Sequence, residues 1–481
     1  MNDLAPALDE LLDRARRHSR VPALAAAAGR GGELVWEGAV GSASLPAGPH
    51  AGEPADADGA PGEPATPGHA FRIGSITKPM VAVAVLRLVE EGRVALPDPI
   101  GTHVPDAPAG DATVRQFLTH TSGLPAEPPG PWWERAGHGP WEDLVASAPQ
   151  PLWDPGDRYH YSNTGFAVLG RLVEVHRGRA WDEVLRQELW TPLGMTATGR
   201  APAGPAVTGY AVHPHAGLVH DEPVAAYGAL GPAGEVWSTA ADLVRFGMWL
   251  TGRGPDVAAD GLVLSRELRE LMAVPRVVAD DAGPGGGPWE TSHGLGVRVR
   301  QDGDVRTVGH GGSVPGFTAD LRADPVSGDV VAVCGSSTAG FGGGGPFLRV
   351  MRDEPGHVGR PVGEGPPGHG ASQDRGEVPL DVLGTWYWGP APFTVSLEGP
   401  GRLVLRSADE GGRGTAFTRP GGGPWTGVDG GYWLGERLVP VERDGTVVAL
   451  DVGTFCFTRM PYDPDADLPG GAGGWRPAPL E

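Results

Sequence analysis

The feature that most restricts the fold of this 481-residue chain is a helical segment that is apolar on nearly all sides. Its apolar residues follow Pro79 and leave no polar stripe: Met80, Val81, Val83, Val85, Leu86, Leu88 and Val89. A helix of this kind is buried at the centre of a domain. Pro79 falls in its first turn, where the missing N–H costs little.

A serine and a lysine stand where this helix begins, in the tetrad Ser75-Ile76-Thr77-Lys78. Residues three apart on a helix share a face, so Ser75 Oγ can meet the Lys78 amine without help from a distant segment. A serine hydroxyl is a weak nucleophile until a base takes its proton, and an amine can serve when its charge is disfavoured. The tetrad alone occurs often by chance, but its position at the start of a buried helix favours covalent acyl transfer.

The chain divides into two regions with different secondary-structure patterns, and a linker joins them. Residues 1–352 alternate helical and strand-like segments, and residues 353–376 are rich in Pro and Gly. Residues 377–481 contain eight short strand-like segments, one of them at 432–434, at a spacing typical of a barrel. Residues 46–68 predict a surface loop. The sequence therefore predicts an α/β domain, a linker and a small β-barrel.

Charge and composition restrict the kinds of binding partner that this chain is expected to have. The formal net charge is −21, which argues against nucleic acid, because phosphate binding needs clustered Lys and Arg. Residues 2–19 form a helical pattern without the basic start, apolar centre and cleavage site of a secretory signal. No apolar run approaches the ~20 residues of a membrane span. We therefore expect a cytoplasmic protein without a membrane partner, and no motif predicts a metal or a cofactor.

Two further motifs lie later in the chain. Tyr161-Ser162-Asn163 stands between a Pro-Gly turn and a helical segment, where a phenol and an amide can point into one cleft. His310-Gly311-Gly312-Ser313 ends a strand in paired glycines, so a substrate carbonyl can approach the backbone closely. Each residue also has an ordinary interpretation: Tyr161 as a core tyrosine, Asn163 as a helix N-cap and His310 as a strand residue. The joint occurrence of three motifs favours the catalytic interpretation.

Taken in this order, the motifs resemble those of the serine β-lactamase and penicillin-binding-protein family, most closely its class C, DD-peptidase and esterase branch. Three flanking segments are similar too: Phe71-Arg72-Ile73-Gly74, Leu118-Thr119-His120-Thr121-Ser122-Gly123-Leu124 and Gly234-Glu235-Val236-Trp237-Ser238-Thr239. The resemblance covers residues 1–352. It implies a β-lactamase/transpeptidase-like α/β (α+β) domain in which helices flank an antiparallel sheet.

The resemblance and elementary chemistry imply the same roles. Ser75 attacks the acyl carbon, and Lys78 acts as base once its pKa is lowered from ~10.4. Tyr161 relays protons, and Asn163 orients Lys78 and hydrogen-bonds the substrate amide. The backbone N–H groups of Ser75 and Ser313 form the oxyanion hole.

The first residue of the third motif is His310. In the family that the motifs resemble, this position is occupied by either lysine or histidine. A fixed positive charge attracts the carboxylate of a β-lactam, whereas a neutral imidazole attracts it weakly. This difference, together with the expected compartment, argues against a β-lactamase.

Three interpretations of the protein's function remain: two are enzymes, and one is a protein that is acylated but does not turn over. The favoured one is a penicillin-binding-protein-type thioesterase, which cyclises a non-ribosomal peptide delivered by a peptidyl carrier protein and has a C-terminal lipocalin-like domain. The alternative is a cytosolic esterase, D-stereospecific peptidase or β-lactamase-like hydrolase. A sensor or scaffold that is acylated without turnover is the non-enzymatic one. For the cyclase, Trp132 and Trp133 are expected to cover the cleft, Gly311 and Gly312 to contact substrate, and Arg459 to meet a substrate carboxylate.

Overall fold

The computed structural model describes twelve segments of the chain: residues 4–45, 62–130, 132–212, 219–254, 263–279, 289–338, 341–352, 380–399, 401–408, 413–419, 422–429 and 431–463. The predicted linker at 353–376 and most of the predicted loop at 46–68 lie outside these residues.

The first domain is organised around a nine-stranded antiparallel sheet with the order β3-β2-β1-β13-β12-β11-β10-β9-β8. Two small strand pairs, β4 with β7 and β5 with β6, lie outside it. In chain order the strands are β1 (Ala23–Arg30), β2 (Glu33–Ser44), β3 (Glu63–Pro64), β4 (Phe71–Arg72), β5 (Tyr210–Val212), β6 (Val219–Asp221), β7 (Trp237–Ser238), β8 (Val277–Val278), β9 (Thr291–His293), β10 (Arg298–Asp302), β11 (Val305–Val314), β12 (Phe317–Ala323) and β13 (Val330–Gly335).

Helices cover both faces of the sheet. They are α1 (Leu4–Ser19), α2 (Thr77–Glu90), α3 (Val114–Leu118), α4 (Trp133–Ala136), α5 (Trp141–Ala146), α6 (Asn163–Arg177), α7 (Trp181–Leu185), α8 (Gly231–Gly234), α9 (Ala240–Leu250), α10 (Arg266–Met272) and α11 (Gly345–Met351). Successive side chains of a strand point to opposite faces. Accordingly Ala25 of β1 joins the core that contains α2 and α9, whereas Ala26 packs with α1 and α11. As its composition predicts, α2 is buried on nearly all sides, which fixes its first turn in the interior.

The second domain is a closed eight-stranded antiparallel barrel. Its strands are β14 (Gly384–Trp388), β15 (Ala391–Leu397), β16 (Arg402–Ser407), β17 (Gly414–Thr418), β18 (Trp425–Asp429), β19 (Arg437–Arg443), β20 (Thr446–Val452) and β21 (Phe455–Thr458). Aromatic side chains, Trp386, Phe417 and Phe457 among them, are buried in its core. The predicted antiparallel barrel at the C-terminus is therefore confirmed.

One strand was predicted in the wrong place. Residues 432–434 lie in a turn, and the strand of this region is β18, seven residues earlier. The turn is bounded by Gly431 and Gly435, whose φ angles are 77° and 78°. Side chains rarely adopt such values, so two glycines with positive φ end a strand rather than continue it. The turn packs Tyr432 against the barrel core and places its hydroxyl within hydrogen-bond distance of Glu127 of the first domain.

The two domains contact each other through apolar and polar groups. Trp132 and Ala211 pack with Ala449, Cys456 and Tyr462 of the barrel. A hydrogen bond adds to this contact, because the backbone N–H of Ala126 donates to the side-chain Oε1 of Glu436 at 3.2 Å. Within the described segments, no helix combines the length and apolarity needed to cross a bilayer.

Candidate active site

Ser75, the predicted nucleophile, lies on a short 3₁₀ turn, Gly74–Ile76, that runs directly into α2. Thr77 Oγ1 donates to the Gly74 carbonyl at 2.8 Å and ties the turn to the helix. Lys78 is one residue into α2 and completely buried. Ser75 and Lys78 therefore lie within one turn of a continuous buried element, as their spacing indicates.

Lys78 Nζ has three neighbours, and their chemistry decides how its protons are placed. The amine donates to Asn163 Oδ1 at 2.6 Å and to the Ala233 carbonyl at 2.7 Å, and it lies 2.9 Å from Ser75 Oγ. The amide oxygen and the carbonyl can only accept, so they take two N–H groups. A neutral amine has only two, and its lone pair is then left for the Ser75 hydroxyl proton.

The environment makes the neutral amine accessible at neutral pH. Burial lowers the pKa of Lys78 from 10.5 to about 7. Glu127 and Glu134 act in the opposite direction and raise it, and the Arg298 guanidinium lowers it further. Lys78 can thus take the proton of Ser75 as a general base near pH 7.

Tyr161 lies close to both Ser75 and Lys78. Its phenol shares a hydrogen bond with Ser75, and Lys78 Nζ is 4.9 Å from the centre of its ring. Burial raises the pKa of Tyr161 to about 12. The phenol therefore stays protonated at neutral pH, which suits it to passing a proton between Ser75 and a leaving group rather than to acting as a phenolate base.

Asn163 is the first residue of α6, and the N-cap is its neighbour Ser162, whose side chain accepts from Gly165 N at 3.0 Å. The Asn163 side chain is thereby free to point inward, and its two ends have different partners. Oδ1 accepts from Lys78, while Nδ2 donates to Glu127 Oε1 at 2.8 Å. One amide hydrogen is consequently committed to Glu127, and the other is left for a substrate carbonyl.

The third motif lies on β11, whose far end is unpaired on one side. Strand β10 pairs with β11 only as far as Gly309, so residues 310–314 present an open edge to the Ser75 turn. A Cβ built on Gly312 would lie 1.9 Å from Ile73 O and 3.1 Å from Ser75 N. Only glycine allows this approach. The backbones of Ser75 and Ser313 are thus held side by side, as two oxyanion-hole donors require.

His310 stays neutral in this site. Burial, together with the nearby Arg298 guanidinium, holds the pKa of His310 well below its usual range. Its Nδ1 lies 2.5 Å from the Gly311 carbonyl, an acceptor, so Nδ1 carries the proton and Nε2 is an acceptor. His310 therefore carries no positive charge, and its Nε2 is a buried acceptor without a hydrogen-bond partner among the described residues.

A cluster of aromatic and cationic groups supports Tyr161 from behind. His120 stacks on Tyr161 with ring centres 4.3 Å apart, and its Nδ1 accepts from Ser162 N at 3.0 Å. His293 packs edge-on against His120, and Arg298 CZ lies 5.8 Å from the Tyr161 ring centre. Arg298 thus places a positive charge beside Tyr161, and the same charge acts on His310.

Three residues predicted to cover the cleft or to bind substrate, Trp132, Trp133 and Arg459, contact other parts of the protein. Trp133 is buried and donates to Glu127 Oε2 at 2.7 Å, and Trp132 packs against Trp388 of the barrel with ring centres 5.9 Å apart. Arg459 donates to the carbonyls of Leu383, Thr385 and Asp381 and stacks on Trp386 at 3.6 Å. These contacts give Arg459 a structural part in the barrel.

Three residues of the site were missed by sequence reasoning: Glu127, Arg298 and Tyr432. None belongs to a spaced motif. Glu127 did carry a signal, because it is an isolated acid in the segment Leu124-Pro125-Ala126-Glu127-Pro128, directly after one of the flanking segments. Arg298 and Arg300 also alternate with Val297 and Val299, which places two cations on one face of a buried strand.

Comparisons with known proteins identify the family of the chain. Residues 8–343 match a family described as Beta-lactamase, and residues 376–459 match one described as a domain of unknown function (DUF7586). Esterase EstB of Burkholderia gladioli is 30% identical over 425 residues, which are 82% of this chain and 94% of that protein.

Several solved proteins are similar to this chain in three dimensions, SurE and a D-amino acid amidase among them. The crystal structure of SurE has a TM-score of 0.61 and 26% identity, with 95% of this chain and 99% of that chain covered; SurE is also known with D-Leu. The D-amino acid amidase from Ochrobactrum anthropi SV3, complexed with L-phenylalanine amide, has a TM-score of 0.57 and 26% identity, with 73% and 98% covered. The chain belongs to the β-lactamase and penicillin-binding-protein-like family, and it is a serine hydrolase of that fold.

Proposed function

We propose that this protein takes the acyl group of a peptidyl thioester onto Ser75 and releases it to the amine of the same peptide, which closes a head-to-tail macrocycle. The observation that carries the acyl-transfer step is the contact between Lys78 Nζ and Ser75 Oγ at 2.9 Å, in which the two other Nζ contacts are acceptors. That arrangement leaves the lysine lone pair for one purpose, which is to take the serine proton.

Acylation follows from these positions. Lys78 takes the Ser75 proton as Oγ attacks the acyl carbon, and the developing oxyanion is stabilised by the N–H groups of Ser75 and Ser313. The tetrahedral intermediate then collapses and breaks the bond to sulfur. Tyr161 passes the proton held by Lys78 to the departing thiolate.

Release to an amine reverses the same path. The peptide's N-terminal amine attacks the acyl-Ser75 carbonyl and gives up a proton through Tyr161, and Ser75 Oγ leaves and is reprotonated from Lys78. Water competes for the same carbonyl and must be kept out. An aromatic wall between the domains supports this exclusion: Trp132 packs on Trp388, and Tyr432 lies 6.3 Å from Tyr161 between ring centres.

The acyl donor is proposed to end in a D-configured residue. Two similar solved proteins support this stereochemistry, since SurE is known with D-Leu and the Ochrobactrum protein is a D-amino acid amidase. The donor is proposed to arrive on a peptidyl carrier protein in the cytoplasm, where a thioester-bound peptide is available without export.

Hydrolysis is the second candidate function. Its support is the similarity to an esterase over 82% of this chain and to an amidase. In that case water replaces the amine in the second half-reaction, and the residues of the first half-reaction keep their roles.

One experiment distinguishes macrocyclisation from hydrolysis. The enzyme is incubated with a peptidyl N-acetylcysteamine thioester ending in a D-residue, and its L-epimer serves as the matched control. We expect mainly macrocycle from the D-epimer and little conversion of the L-epimer, as read by liquid chromatography and mass spectrometry. Linear acid as the sole product would favour the hydrolase, and equal use of both epimers would remove the stereochemical part of the proposal.

A further inference from the structure

A chain of hydrogen bonds joins the second domain to the catalytic lysine. Tyr432 OH, in the turn before β19, donates to Glu127 Oε1 at 2.5 Å. Glu127 Oε1 also accepts from Asn163 Nδ2, and Asn163 Oδ1 accepts from Lys78 Nζ. Four side chains from two domains thus form one continuous path that ends at the base.

We infer that the barrel domain completes the active site: Tyr432 is a positioning residue that holds Glu127, and Glu127 in turn orients Asn163 and adjusts the basicity of Lys78. The inference rests on the proposed acyl-Ser75 chemistry. It assigns the second domain a part in preparing the nucleophile, in addition to any part in covering the cleft.

The chemistry of Glu127 supports this assignment. Its three hydrogen-bond partners, the Tyr432 hydroxyl, Trp133 Nε1 and Asn163 Nδ2, all act as donors, which fits an ionised carboxylate. Burial raises the pKa of Glu127, whereas these donors stabilise its charge, that of Tyr432 most of all. Because burial and hydrogen bonding oppose each other here, the pKa of Glu127 is sensitive to the loss of any one of its hydrogen-bond donors.

The phenol of Tyr432 is itself held in place. The Arg413 guanidinium lies 4.3 Å from the centre of its ring, and the ring packs edge-on against Phe455 at 5.3 Å. Both neighbours belong to the barrel. The hydroxyl is therefore delivered to Glu127 by docking of the second domain, not by a mobile side chain of the first.

Other charges near the path must be considered in any pH experiment. Besides Glu127, the groups whose charges act on Lys78 are Glu134 and Arg298. Tyr161, His120, His293 and His310 stand around the same cleft, and Arg300 lies behind them on β10. Glu127 is also near Glu134 and Glu436, and the charge of Arg413 acts on Glu134 and Tyr432. Removing the Glu127 charge has a defined sign, because that charge raises the pKa of Lys78.

The test is a double-mutant cycle of Tyr432→Phe and Glu127→Gln, read by the burst rate of Ser75 acylation with p-nitrophenyl acetate at a series of pH values. Glu127→Gln is expected to move the acid limb of the rate by about one pH unit or more to lower pH, because an opposite charge is lost close to the amine. Tyr432→Phe is expected to lower the plateau rate about tenfold, the effect of one hydrogen bond to a charged group. The double variant should match Glu127→Gln within about twofold.

Tyr462→Phe is the matched control, since Tyr462 packs in the same domain interface but outside this path. It should leave rate and pH profile unchanged. If Tyr432→Phe melts far below wild type, Trp133→Phe removes another donor to Glu127 without altering the barrel and should show the same dependence on Glu127.

The outcomes separate the two claims. Multiplicative effects of Tyr432→Phe and Glu127→Gln, or an unmoved acid limb in Glu127→Gln, would overturn the inference while acylation of the wild type leaves the proposed function standing. A wild type that is not acylated at Ser75 would overturn the proposed function itself.

Discussion

The lowered pKa of Lys78 makes a quantitative prediction about acylation. At pH 7, a lysine with the ordinary pKa of 10.5 is neutral in about 0.03% of molecules, and one with a pKa of about 7 is neutral in about half. Burial therefore increases the population of competent base roughly a thousandfold. The pre-steady-state burst with p-nitrophenyl acetate should be half-maximal near pH 7, fall about tenfold per unit below pH 6 and reach a plateau above pH 8.

The titrating group can be assigned from temperature. Burial lowers the pKa of both His310 and His293 well below the usual range, so neither gives a limb near pH 7. Glu134 does titrate there, because burial raises its pKa to about 7. Ionisation of an amine is strongly endothermic and that of a carboxyl is nearly athermal, so warming should move the limb to lower pH. A limb that does not move with temperature, or a burst rate independent of pH between 5.5 and 8, would refute the role given to Lys78.

Three further substitutions test separate parts of the site. Gly312→Ala places a Cβ 1.9 Å from Ile73 O, so β11 must move away from the nucleophile, and kcat/KM should fall about 10²–10³-fold as when an oxyanion donor is lost; a fall below threefold would contradict this. Tyr161→Phe should slow steady-state turnover about 10²–10⁴-fold while slow acylation of Ser75 remains detectable by mass spectrometry; unchanged turnover would exclude the relay. Arg459→Gln should lower the melting temperature and leave KM unchanged, because its partners are barrel carbonyls; a raised KM with an unchanged melting temperature would instead restore its predicted contact with a substrate carboxylate.

The elements with a strong local pattern could be predicted from the sequence. The apolar run after Pro79 belongs to α2, and the strand-like region after residue 376 forms a closed antiparallel barrel. The prediction failed at residues 432–434, where Tyr432 and Trp433 resemble a strand. Their flanking glycines have positive φ and form a turn instead, and this conformation depends on the barrel around it.

The same distinction applies to the site. Ser75 and Lys78 share one helical turn, so their meeting is a local property of the sequence. Glu127 reaches Asn163 only because its loop packs against the start of α6, and Tyr432 reaches Glu127 only because a second domain docks there. Contacts between segments about 300 residues apart have no spacing rule, which is why a single sequence does not show them.

The most direct measurement of the central claim is the location of the acyl group in the trapped enzyme. The protein is mixed with a p-nitrophenyl ester, quenched in acid during the burst, digested and mapped by tandem mass spectrometry. We predict one acyl group per molecule on the hydroxyl of Ser75, and an unmodified protein when Ser75→Ala is treated identically. Acylation of another side chain, or an equal adduct on the folded Ser75→Ala protein, would contradict the account.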